Sequence, residues 1–135
     1  LDVRHVGVTG MGLPDDPDHP AQARLWIRVD GTLADDPTVQ AAAFTYASDL
    51  TLLGAALVPH GIDIASPRLQ PASLDHTIWF HRPFRADEWH LYDFTCHGYV
   101  GARGLSIGSV FTREGVHVAT VAQEVLVRDQ RSKAE

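Results

Sequence analysis

The sequence predicts an α+β fold, in which one long helix packs against a strongly curved antiparallel sheet. Two observations predict it: a single helical stripe in the first half of the chain, and several strand-like segments in the second half. No helix alternates with these later segments, which argues against a doubly wound parallel sheet. A chain of 135 residues with 44% hydrophobic residues fits one domain with a buried core.

The helix is predicted by apolar residues that recur every three or four positions, as on one face of a helix. Asp35 or Asp36 suits the N-cap, and Pro37 suits the first turn. Pro59 and Gly61 end the pattern. The spacing predicts one long helix; the members of the stripe are Val39, Ala43, Tyr46, Leu50, Leu53 and Leu57.

The predicted strands are segments rich in β-branched and aromatic residues, bounded by turn residues. They cover residues 24–29, 74–81, 89–96, 102–112 and 116–128, with a short glycine turn at 113–115. One long helix wrapped by such a sheet is the arrangement of the hotdog fold. We expect a lead-in or linker at residues 1–22, the hotdog domain at 23–128 and a polar tail at 129–135.

Composition excludes several classes of protein. A net charge of −6 disfavours nucleic-acid binding, because neutralising phosphates needs a concentrated basic surface. No apolar run approaches the roughly 20 residues of a membrane span. The single Cys96 excludes an intramolecular disulfide and fits a reducing compartment, so we expect a cytoplasmic location. Eight histidines lack compact ligand spacing, so we expect no metal and no cofactor.

Asp75 is a candidate general base. On a strand it shares a face with Trp79, and loss of solvent beside an apolar ring raises the pKa of a carboxyl toward the working range. The alternative is structural: Asp75 caps a loop or pairs with Arg82.

Gln123 is the second candidate, since it stands in the middle of an apolar row on the last predicted strand. A buried amide without a hydrogen bond costs about 1–3 kcal/mol, so a polar group must face it. Either that group is a cross-strand partner, or Gln123 orients a water molecule or a substrate carbonyl.

Two segments carry a family resemblance. Residues 74–84 (LDHTIWFHRPF) and 121–128 (VAQEVLVR) resemble the acyl-CoA thioesterase II family, specifically the second of its two tandem hotdog domains. Residues 46–50, 59–61 and 102–104 fit the same family in the same order. The resemblance implies hydrolysis of acyl-CoA to free acid and CoA. It also implies that an Asp, a Thr or Ser, and a Gln activate water without a covalent nucleophile.

Transferred to this chain, the resemblance gives a candidate catalytic set of Asp75, His97 and Gln123. His97 takes the place of the hydroxyl residue, with Thr95 two positions earlier as the alternative. The implied partners are an acyl-CoA substrate and a second hotdog domain, in another chain or in a second copy. Hydration of an enoyl thioester and a non-catalytic acyl-binding or scaffolding hotdog remain the competing functions.

Overall fold

A computed structural model describes residues 1–6, 22–57, 66–67 and 69–129. Within these ranges the chain forms one helix and one antiparallel sheet of seven strands. The order along the sheet is β1-β2-β5-β6-β7-β3, and β4 also pairs with β7. The predicted α+β class is therefore confirmed. The elements are β1 (Asp2–His5), β2 (Gln22–Arg28), α1 (Pro37–Leu57), β3 (Leu69–Ser73), β4 (Thr77–Phe80), β5 (His90–Val100), β6 (Arg103–Thr112) and β7 (His117–Asp129).

The helix begins where the sequence predicts. Pro37 is its first residue, and the Asp36 carboxylate accepts a hydrogen bond from the backbone N–H of Thr38 at 2.8 Å. This contact satisfies one of the N–H groups that a helix start leaves without a partner. The helix continues to Leu57. The predicted stop at Pro59 and Gly61 lies outside the described residues.

The apolar stripe of the helix is only partly buried. Three members of the apolar stripe, Val39, Tyr46 and Leu50, are 38%, 72% and 56% exposed. The buried residues share only Leu57 with the stripe, and they include two polar side chains that find partners inside the protein. Apolar periodicity locates a stripe but does not say whether the core or another surface covers it. The buried helix residues are Gln40, Phe44, Ala47, Ser48, Leu52 and Leu57.

The core lies between α1 and the concave face of the sheet. Tyr92 of β5 is completely buried, 6.3 Å from the ring of Phe44 on α1. Its own ring crosses the neighbouring strand at Gly108, where a Cβ atom would lie 2.4 Å from the Tyr92 Cε2 atom. A glycine is therefore required there for the aromatic ring to lie flat on β6.

Two edge strands differ from the prediction. Residues 2–5, expected in the lead-in, form β1 and pair with β2, and Arg28 holds the Asp2 carboxylate at 2.6 Å. β3 lies outside the predicted strands, in a segment that contains Pro71, but proline is tolerated at a sheet edge. Lead-in residues 7–21 and tail residues 130–135 lie outside the described residues.

Two predicted strands have different limits. The strand expected from residue 74 starts at Thr77, because residues 74–76 leave the sheet between β3 and β4. The strand expected to end at Cys96 continues to Val100 through a bulge between Cys96 and Gly98. No helix in the described ranges is long and apolar enough to cross a membrane.

Candidate active site

Gln123 is the centre of a buried polar cluster. Its side chain is completely buried in β7, and its amide group is hydrogen-bonded on two sides. The Oε1 atom lies 2.8 Å from Nδ1 of His76. The Nε2 atom donates to Oδ1 of Asp49 at 2.9 Å and to Oγ of Ser73. The sequence predicts that a polar group faces this amide, and the structure shows three such side chains.

Three separate parts of the chain supply these partners. Asp49 lies in the second half of α1, Ser73 is the last residue of β3, and His76 lies in the irregular segment between β3 and β4. The Ser73 residue is exposed and the Asp49 side chain is 48% exposed, whereas Gln123 is inaccessible. The arrangement thus combines a buried amide anchor with a carboxylate and a hydroxyl that solvent or a ligand can reach.

His76 links the cluster to the helix. Its Nε2 atom lies 2.9 Å from the Ser48 hydroxyl, and its Nδ1 atom lies 3.7 Å from the nearer Asp49 oxygen. The ring is held between α1 and β7, with only 15% of the side chain exposed. Both ring nitrogens therefore have polar neighbours.

Two buried hydroxyl groups lie on the inner side of the sheet near this cluster. Burial raises the pKa of Tyr92 well above its usual range, and the negative charge of Asp49 raises it further. Ser106 of β6 stands directly opposite Gln123 in the strand register. Neither the Tyr92 hydroxyl nor the Ser106 hydroxyl has a hydrogen-bond partner in the described part of the chain.

The structure places the three sequence-predicted site residues in different environments. Gln123 is at the centre of the cluster. Asp75 is exposed, and its carboxylate accepts a hydrogen bond from the backbone N–H of Glu124 at 2.8 Å. This contact ties the segment between β3 and β4 to the backbone of β7. His97 is the extra residue of the β5 bulge and is exposed, and Thr95, two positions earlier, is half-buried.

Sequence reasoning missed Asp49, Ser73 and His76 as partners of Gln123. The family resemblance pointed to their surroundings, since Asp49 lies inside segment 46–50, His76 lies inside segment 74–84 and Ser73 directly precedes it. His76 was placed on a continuous strand, whereas the chain leaves the sheet there. Across the residues that the structure describes, no group of three or more His, Cys, Asp or Glu side chains is placed to hold a metal ion.

Comparison with known proteins identifies the family. The acyl-CoA thioesterase family profile matches residues 17–126. The chain is 36% identical over 109 residues to acyl-CoA thioesterase 2 of Haemophilus influenzae, covering 81% of this chain and 38% of that protein. It is 40% identical over 105 residues to acyl-coenzyme A thioesterase 8 of Mus musculus, covering 77% of this chain and 32% of that protein. The chain thus spans about a third of the length of these curated relatives.

Solved structures support the same assignment. The chain resembles acyl-CoA thioesterase II TesB2 of Mycobacterium marinum with 44% identity and a TM-score of 0.82, covering 97% of this chain and 50% of that one. It resembles a tesB protein of Mycobacterium avium subs paratuberculosis with 29% identity and a TM-score of 0.77, covering 94% and 47%. These similarities confirm the predicted hotdog fold. The chain belongs to the acyl-CoA thioesterase family.

Proposed function

We propose that this chain is one hotdog half of an enzyme that hydrolyses acyl-CoA thioesters to a free acid and CoA. The observation that carries the proposal is the Gln123 amide, which donates to both the Asp49 carboxylate and the Ser73 hydroxyl. An acid, a hydroxyl and a glutamine are the three residue types that the family resemblance implies. Membership of the acyl-CoA thioesterase family supports the substrate class.

The chemistry follows from the hydrogen-bonding capacity of these groups. The Ser73 oxygen accepts from Gln123, so its own O–H remains available to a water molecule or a carbonyl. The second oxygen of Asp49 is available to accept a proton from that water. The water oxygen then attacks the thioester carbonyl carbon, Asp49 takes the proton, and the C–S bond breaks as CoA leaves and receives the proton.

This assignment places Asp49 and Ser73 in the roles that the sequence suggested for Asp75 and His97. The reason is geometric, because Asp49 and Ser73 are hydrogen-bonded to Gln123. The Asp75 carboxylate instead holds the backbone of β7. The role of His97 as third residue stays a prediction, and the role of Asp75 as base is a prediction that an Asp75→Asn variant tests.

A matched pair of variants tests the proposal. Asp49→Asn and Asp75→Asn each replace a carboxylate by an amide of the same size, and thiol release is measured with a panel of acyl-CoAs. We expect Asp49→Asn to lower turnover by about 10²–10⁴-fold, the usual contribution of a general base. Asp75→Asn should stay within about 3-fold of the parent protein, since no proton transfer is assigned to it.

A large loss of turnover in Asp75→Asn with little change in Asp49→Asn would assign the base role to Asp75. Acyl-CoA binding without thiol release, in the presence of the second hotdog domain, would refute hydrolysis. That result would favour the competing function of a non-catalytic acyl-binding hotdog.

We also infer that a second hotdog domain covers the site, from another chain or from a second copy. β4 pairs with β7 along one edge, and its other edge has no partner strand among the described residues. Trp79 of β4 and Tyr46 and Leu50 of α1 are 51%, 72% and 56% exposed. Asp49 is three residues after Tyr46 and so neighbours it on the helix surface, so a domain seated over Tyr46 would shield the site from water.

The oligomeric state tests this inference. Light scattering after size-exclusion chromatography should show a dimer, or a stable complex with the second domain. Leu50→Ser should weaken that association by about tenfold or more, because it removes a central apolar contact. The matched control is Val100→Ser, at a 79% exposed apolar residue next to the β5–β6 turn, which should have no effect. A stable monomer that releases thiol would contradict the inference.

A reducing location such as the cytoplasm remains a prediction, supported by the single free Cys96.

A further inference from the structure

We propose that His76 is a positioning residue, which fixes the orientation of the Gln123 amide and so aims its N–H groups at Asp49 and Ser73. This inference rests on the proposed function, since it assigns a role within the same site.

The orientation of the amide follows from the chemistry of its neighbours. An ionised carboxylate such as Asp49 only accepts hydrogen bonds, so the NH₂ end of Gln123 must face it. The Oε1 end then faces Nδ1 of His76 at 2.8 Å. A carbonyl oxygen also only accepts, so this ring nitrogen must carry a hydrogen and donate it.

The donor at Nδ1 is present in both charge states of the ring. In the neutral ring, Nε2 carries a lone pair and accepts from the Ser48 hydroxyl, 2.9 Å away. In the charged ring, Nε2 donates to Ser48, whose hydroxyl then donates to the Thr45 carbonyl at 3.0 Å. Each arrangement leaves Nδ1–H directed at Gln123. Ser48 therefore adapts to the charge of His76, while the contact with the amide is unchanged.

Water does not readily replace this donor. Gln123 is completely buried and the His76 side chain is only 15% exposed, so removal of the imidazole leaves Oε1 without a partner. The amide then loses a contact that favours the orientation with its NH₂ end toward Asp49 and Ser73. Loss of His76 should consequently disturb the water-holding geometry, although the proposed mechanism assigns His76 no proton transfer.

Nuclear magnetic resonance tests the hydrogen bond directly, with or without turnover. Long-range ¹H–¹⁵N correlation spectra of histidine-labelled protein report which ring nitrogens carry hydrogen, and the His76→Asn spectrum assigns the His76 signals. We expect Nδ1 of His76 to be protonated across the neutral pH range. An unprotonated Nδ1 in the neutral ring would overturn the proposal.

Kinetics test the consequence. His76→Leu removes the donor, whereas His76→Asn keeps an N–H on the atom bonded to Cγ, the place that Nδ1 holds in histidine. We expect His76→Leu to lower kcat by about 10- to 100-fold with KM changed less than about threefold. His76→Asn should recover most of that loss.

His117 provides the matched control. It is half-buried like His76, and its Nε2 atom likewise lies near a hydroxyl, 3.2 Å from Thr120 Oγ1. His117→Leu and His117→Asn should leave kcat within about twofold, since no catalytic contact is assigned to them. Equal losses in both His76 variants, or an equal loss in His117→Leu, would refute the positioning role.

The two proposals fail separately. If the parent protein releases no thiol even with the second hotdog domain, the proposed function fails, and the state of Nδ1 still decides whether His76 orients the amide. If the parent protein is active and Nδ1 is unprotonated, only the positioning role fails.

Discussion

Replacing Gly108 by alanine tests the close approach of Tyr92 to β6. The added Cβ atom would lie 2.4 Å from Cε2 of Tyr92 and 3.0 Å from Cβ of Phe94. Carbon atoms in contact prefer about 3.5–4.0 Å, so the tyrosine ring must shift by more than about 1 Å. Tyr92 has no free space for that movement, because it is completely buried between β6 and Phe44.

The expected magnitude comes from two opposing effects. Overpacking a filled core usually costs about 1–3 kcal/mol, and the rigid ring places this site near the upper end. Alanine also restricts the unfolded chain, which offsets about 0.4–1 kcal/mol. We therefore expect Gly108→Ala to lower the free energy of unfolding by about 1–3 kcal/mol. For a chain of this size the Tm should fall by about 3–10 °C.

Urea and thermal unfolding measure this change. The matched control is Gly98→Ala in β5, where an added Cβ meets nothing within 4 Å and the backbone needs no left-handed conformation. In a Tyr92→Ala background, Gly108→Ala should cost clearly less, because the closer of the two clashes, with the tyrosine ring, is absent. Equal stability of Gly108→Ala and the parent protein, or an unchanged cost in the Tyr92→Ala background, would refute the reasoning.

Two further predictions concern buried polar groups. Tyr92→Phe removes a buried hydroxyl that has no hydrogen-bond partner in the described part of the chain. Thermal melts should therefore show unchanged stability or a gain of up to about 1 kcal/mol. A clear loss of stability would mean that the hydroxyl has a partner. Burial lowers the pKa of His90, so the unfolded chain binds more protons once the pH falls below its ordinary value of about 6.5. Stability should therefore decline as the pH falls from 7 to 5. Urea unfolding should show a smaller decline for His90→Phe, whereas an identical decline would mean that His90 does not contribute.

Local sequence features predicted the parts of the fold that depend on neighbouring residues. The start of α1 was predictable because Asp36 and Pro37 act within one turn. The hairpin between β6 and β7 was predictable because Gly115 adopts a positive φ of 84° in a short turn. Burial of Gln123 followed from strict alternation along β7, which places it among apolar side chains.

The hydrogen-bond partners of Gln123 depend on contacts that local patterns do not encode. Asp49 lies 74 residues from Gln123 in the chain, Ser73 lies 50 away and His76 lies 47 away. Alternation along one strand shows that an amide is buried, but it does not show which side chain from another element reaches it. The pattern around Asp75 predicted a base, but it did not predict the hydrogen bond that its carboxylate accepts from the backbone N–H of Glu124.

By itself, the sequence determined the class of fold, the residue at which the helix begins, the burial of Gln123 and the family. The tertiary structure decided which face of α1 is buried and which acid, hydroxyl and imidazole meet Gln123. The physical reason is that helix and turn preferences act over a few residues, whereas a buried amide selects its partners by hydrogen-bond geometry between distant elements.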